Sequence, residues 1–220
     1  MHELVEYLSV VLIVTNLLLL SSSRLSVCIN AVAAQGVILG FLPLVEKERL
    51  SSGILIMAAA TVLLKGLIFP WLLASAAKKV KVGRELDPMI SYNISLMVGV
   101  AMLAFSFWLQ SRLPLQAGGP APLLLPAAFF GILSGFFITI ARRKALTQVL
   151  GYLALENGIY AFGASMMSEH PWVFELGILL DVFVAVFVMG IAIFHISREF
   201  EHIDADRLAS LRDPVGEAKA

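Results

Sequence analysis

The chain has 220 residues, 59% of them hydrophobic and 15% charged, where a soluble domain carries about 25% charged residues. Sixteen basic residues balance sixteen acidic ones. That balance excludes a nucleic-acid binder, which needs a basic surface, and the apolar content excludes a disordered chain. One cysteine, Cys28, excludes a disulfide scaffold, an iron–sulfur cluster and a thiolate zinc site held within the chain.

A helix that crosses a bilayer needs about 20 mostly apolar residues. The sequence has seven such runs, at about 4–20, 25–44, 53–75, 88–110, 122–140, 145–166 and 172–195. Polar or helix-breaking stretches separate them. The expected fold is therefore all-α: a polytopic bundle of seven transmembrane helices over 1–197, followed by a polar tail at 198–220. The first run begins with Glu3 and Glu6 rather than a basic segment, so it reads as a span and not as a cleavable signal. In the tail, Phe200, Ile203, Leu208 and Leu211 fall on one side of a short amphipathic helix suited to the membrane surface or a partner. No soluble catalytic domain fits in what remains.

Basic residues set the orientation. Twelve of them (Arg24, Lys78, Lys79, Lys81, Arg84, Arg142, Arg143, Lys144, Arg198, Arg207, Arg212 and Lys219) lie on one side. Lys47, Arg49 and Arg112 lie on the other. The positive-inside rule then places the N-terminus outside and the C-terminus in the cytoplasm.

Lys65 belongs to neither side. It sits midway along the third run, as Glu156 does in the sixth, and Asp181 is close to the centre of the seventh. A charge in the hydrocarbon core costs roughly 2.5–3.5 kcal/mol on insertion scales, and three charges at one depth suggest a proton or ion path. A structural ion pair that fixes helix register is the competing reading. In the sixth run Gln148, Tyr152, Glu156 and Tyr160 recur every four residues, forming a polar stripe that must face a neighbour or a cavity. Gly151 and Gly158 form a smooth strip that admits another helix. Lys65 is followed by Gly66 and Pro70; the proline cannot donate to the Gly66 carbonyl, so a kink or break is expected beside the lysine.

The mid-span amides Asn16, Asn30, Gln35 and Asn93 are expected to bond neighbouring helices. His2, His170, His195 and His202 lack metal-ligand spacing, so neither a metal nor a cofactor is assigned. Residues 27–38 echo 149–160 at a shift of 122, with Ala34 where the second copy has Glu156.

The stretch 142–163, the run from Asp181 through Gly190 to His195, and the segment from Glu201 to Arg212 resemble hydrogenase-4 component E, a membrane subunit of group 4 [NiFe]-hydrogenases and formate hydrogenlyase-type complexes. The part from about 122 to 197 is also similar to the K subunit of respiratory complex I and the C subunit of multisubunit cation/proton antiporters. Arg142-Arg143 stands where that family has a twin arginine, and Asn157 matches a family asparagine. The family's second-span glutamate falls on Leu153 here, one turn before Glu156, and Asp181 is the nearest counterpart of its third-span glutamate.

The resemblance implies a non-catalytic subunit of a multisubunit oxidoreductase in the cytoplasmic (inner) membrane. It would lie beside antiporter-like and other membrane-arm subunits, and cytoplasmic hydrogenase subunits would carry the redox chemistry. Lys65, Glu156, Asp181, Tyr152 and Gln148 would then contribute to a hydrophilic axis moving protons or Na+. A structural membrane adaptor and a cation/proton antiporter subunit are the alternatives.

Overall fold

The computed structural model describes residues 2–46, 52–79, 90–113, 122–142 and 144–165. The expected seventh span, Asp181 and the tail lie outside them. The described residues are helical, with no strand among them. In chain order they form α1 (His2–Ser21), α2 (Leu25–Glu46), α3 (Ser52–Thr61), a π-helical segment (Val62–Ile68), α4 (Phe69–Lys79), α5 (Tyr92–Arg112), α6 (Leu124–Ala141) and α7 (Ala145–Ser165).

Five stretches among the described residues are long and apolar enough to cross a membrane: Glu3–Ser21, Leu25–Val45, Ala58–Lys78, Tyr92–Arg112 and Leu124–Ala141. They mark a multi-pass membrane protein. The third is one continuous rod in which α3, the π segment and α4 follow without interruption. At 21 residues, α7 matches the others in length, and at 1.5 Å per residue it extends about 30 Å. Gln148, Glu156 and Asn157 make it less apolar. It compensates by packing along α6 and α2.

The outward faces are bare hydrocarbon. Tyr7, Val14, Ile56, Trp71, Met97 and Trp108 are all exposed, which in water would be a liability and in lipid is the expected surface. On α5 the buried positions are Ser95, Gly99 and Ser106, so this helix touches the bundle along a narrow line of small residues.

Glycine sets the closest crossings. On α2, a Cβ at Gly36 would stand 2.6 Å from the Lys65 Cβ and 2.8 Å from the Lys65 carbonyl oxygen. Gly40 abuts Val62 one turn on, and Gly66 faces Val37 in return. The α2 backbone is thus seated directly on the π segment.

Between α6 and α7 the strip foreseen at Gly151 and Gly158 is occupied. Gly151 meets Thr139, while Gly158 meets Gly131 and Ile132. Gly135 of α6 completes the seam against Leu155. Close backbone approach of this kind supplies dispersion contacts that lipid cannot match.

Arg142, between α6 and α7, is 2% exposed and ties three elements. Its Nη2 donates to the Leu20 carbonyl at the end of α1 (3.3 Å). Its guanidinium stacks 4.7 Å from the Tyr92 ring centroid at the start of α5. Its own carbonyl accepts from the Gln148 side chain (3.0 Å). Burial lowers its pKa from the usual arginine value, and the adjoining Tyr92 opposes that shift.

Candidate functional site

Where a kink or break was expected at Gly66 and Pro70, the helix stays continuous and widens into the π segment. The Phe69 N–H reaches back five residues to the Leu64 carbonyl, where an α-helix would use Lys65. The wider register ends at Phe69, directly before Pro70, which has no N–H with which to continue the ladder. It also turns Lys65 and Gly66 into the bundle, where both are buried.

There the Lys65 ammonium meets Glu156 of α7, with Nζ 2.6 Å from Oε1. The side chains are 3% and 1% exposed, so this pair is shielded on every side. The two charges share one depth and one site. Asn157, next to Glu156, accepts from Lys65 Nζ at 3.5 Å. The Tyr160 ring lies beneath the ammonium, 5.0 Å from its centroid, which adds a cation–π attraction. Thr61, at the start of the π segment, stands beside the Tyr160 hydroxyl. The second glutamate oxygen, Oε2, is buried and has no hydrogen-bond partner among the described residues.

The polar network continues past the pair. Asn157 Nδ2 donates to Gln35 Oε1 of α2 (3.2 Å), and Gln35 Nε2 donates to Thr15 Oγ1 of α1 (3.1 Å). Nearby, Ser134 of α6 donates to Asn16 Oδ1 (3.0 Å). Two of the mid-span amides, Gln35 and Asn16, therefore do bond neighbouring helices. Gln35 does more, because it connects through Asn157 to the charge site. Gln35 and Asn157 are also equivalent positions in the echo, 122 residues apart.

The stripe on α7 is divided along its length. Tyr160 and Glu156 are buried at the pair, Tyr152 is partly buried, and Gln148 is exposed at the helix start, bonded to Arg142. The structure thus brings Lys65, Glu156 and Tyr160 together. It places Tyr152 and Gln148 in a line from that cluster to the start of α7. Among the described residues no cluster of His, Cys, Asp and Glu could hold a metal ion.

No protein-family model and no solved structure matches the chain. The Uncharacterized protein Rv0085 of Mycobacterium tuberculosis is 31% identical over 212 residues, covering 96% of each chain. Hydrogenase-4 component E of Escherichia coli, and that of Shigella flexneri, are 26% identical over 161 residues, covering 72% of this chain and 74% of each relative. The identity over nearly the full length shows that the chain belongs to the family of the Mycobacterium tuberculosis protein Rv0085, and it is distantly similar to the hydrogenase-4 component E membrane subunit.

Proposed function

We propose that the chain is a membrane-arm subunit of a group 4 [NiFe]-hydrogenase or formate hydrogenlyase-like complex, carrying part of a hydrophilic axis that moves protons or Na+. The buried Lys65–Glu156 pair carries the reading. A charged pair inside a membrane bundle is expensive unless it has work to do. Its placement beside a π segment, on a span that also carries Gln148 and Asn157, fits a site that exchanges an ion. In this reading the chain has seven spans with the N-terminus outside, lies in the cytoplasmic membrane beside antiporter-like subunits, and leaves redox chemistry to cytoplasmic partners. Its part from about 122 onward corresponds to the complex I K subunit. Asp181 joins the axis from the seventh span. Gln148 and Tyr152 line the route from the cytoplasmic end of α7 to Glu156.

Inverted vesicles from cells carrying variants at the native locus, energised with H2 or formate, test it. Glu156→Gln and Lys65→Ala should abolish ion movement while the complex still assembles. Full movement in both refutes the proposal.

A second reading has the pair as a register lock in a structural adaptor. The tight seating of α2 on the π segment at Gly36 favours it. It requires both variants to lose assembly instead. Gene neighbours for a nickel-binding large subunit and ferredoxin-like proteins separate either reading from a redox-free antiporter.

A further inference from the structure

The hydrogen bonds leading away from Lys65 have a fixed sense. An ammonium has donors and no acceptor, so Asn157 must present Oδ1 to Lys65. Its Nδ2 then has to donate, and Gln35 must receive it on Oε1. Gln35 Nε2 donates in turn to Thr15 Oγ1. The Thr15 hydroxyl spends its proton on α1 itself, within 2.9 Å of the Val11 carbonyl and 3.0 Å of the Leu12 carbonyl. Every dipole in the chain points its negative end toward Lys65.

We propose that Asn157, Gln35 and Thr15 form a one-way positioning arm. It orients the Lys65 ammonium toward Glu156 and ends blind on α1, so ions reach and leave the pair through Glu156 and not through the arm. This rests on the ion-path reading above and adds to it three positioning residues and a direction.

The chemistry of the arm supports its being closed. A relay member must accept a proton on one atom and release another from a second atom. A carboxylate, a water or a hydroxyl does this readily. A primary amide does so only through its imidic acid form, and here two amides stand in series. Beyond them, the chain stops at backbone carbonyls, which accept hydrogen bonds and have no proton to pass on.

The neighbouring branch ends the same way. Asn16 takes the Ser134 hydroxyl on Oδ1 and donates its Nδ2 to the Leu12 carbonyl (2.9 Å), the same carbonyl that serves Thr15. The α1 side of the cluster is thus saturated by helix carbonyls. Glu156 Oε2 is different: it is buried, and among the described residues nothing donates to it. It is the open atom of the pair, and Tyr152 and Gln148 lie on the same stripe one and two turns away.

The test is Thr15→Val, a substitution of nearly equal shape, measured in the whole complex in energised vesicles beside Thr15→Ser and Glu156→Gln. A positioning arm predicts that Thr15→Val slows ion movement about fivefold, the effect of one neutral hydrogen bond. Thr15→Ser should restore the wild-type rate, because the hydroxyl alone is needed. Glu156→Gln should be inactive. A Thr15→Val complex as inactive as Glu156→Gln shows that the arm conducts and overturns the proposal. So does a wild-type rate in Thr15→Val, which means that the arm does not position Lys65. A Thr15→Ser complex no faster than Thr15→Val overturns it as well, since the methyl group would then be what matters. Full activity in Glu156→Gln refutes the underlying ion path, an outcome distinct from these.

Discussion

Glu156→Gln leaves the Lys65 ammonium buried against an uncharged amide. At the observed 2.6 Å, the direct attraction lost is about 6 kcal/mol for an effective dielectric of about 20. The cost of having desolvated both charges offsets much of that, and breaking a buried pair from one side typically costs about 3–5 kcal/mol. Glu156→Gln and Lys65→Met should each destabilise by about 3–5 kcal/mol. The double variant, which leaves no charge, should return to within about 1–2 kcal/mol of wild type. Denaturant unfolding of the purified complex gives the stabilities, and vesicle assays on the same preparations give ion movement. The expected result is recovery of stability in the double variant without recovery of ion movement. If both recover, the pair is a lock and the ion-path reasoning fails. If the double variant is no more stable than the worse single one, the two charges are not coupled as the distance implies.

Gly36→Ala should lower stability by about 1–3 kcal/mol and slow ion movement at the same time, because its Cβ would meet the Lys65 backbone at 2.7 Å; thermal melting and vesicle assays check the pairing of the two effects. Gly158→Ala should cost a similar amount, since its Cβ falls 2.7 Å from the Gly131 carbonyl carbon and neither backbone can yield. Gly99→Ala should cost less by the same measurement, because the obstacle there is only the tip of the Leu20 side chain. Tyr152→Phe and Gln148→Leu should each slow ion movement up to about tenfold, on the scale of one hydrogen bond, with assembly intact on native gels; wild-type rates would remove both from the route.

The spans were readable because the bilayer imposes a length. The run at 4–20 became α1 at His2–Ser21, and the run at 25–44 became α2 at Leu25–Glu46. An irregularity beside Lys65 was readable from Pro70, but the helix widens there and does not break: a proline can be accompanied by a kink or by a wider turn, and packing of Gly36 on Lys65 accompanies the second. The small strip on α7 was visible as Gly151 and Gly158, but its occupant was not. Periodicity identifies a face and says nothing of which helix covers it, so nothing in the sequence marks Gly131 and Gly135 as its partners. The same limit hid the contact between Lys65 and Glu156, whose common depth follows from counting residues while their adjacency depends on helix order. Asn157 could be singled out only by resemblance. Its place between Lys65 and Gln35 needs the register of α2 against α7, and the echo at a shift of 122 pairs the same two amides.

The π segment also decides where this protein can tolerate a change in length. A wide turn holds about one residue more than an α-helix needs over the same distance. Removing one residue between Val62 and Ile68 would take up that surplus and leave α3 and α4 with their lipid-facing and buried sides unchanged. The same deletion in α1 or α6 would rotate everything beyond it by about 100°, turning buried faces toward lipid. The rod that carries Lys65 therefore has slack built into it at the lysine itself, and an alignment gap in this family should fall there before it falls in any other span.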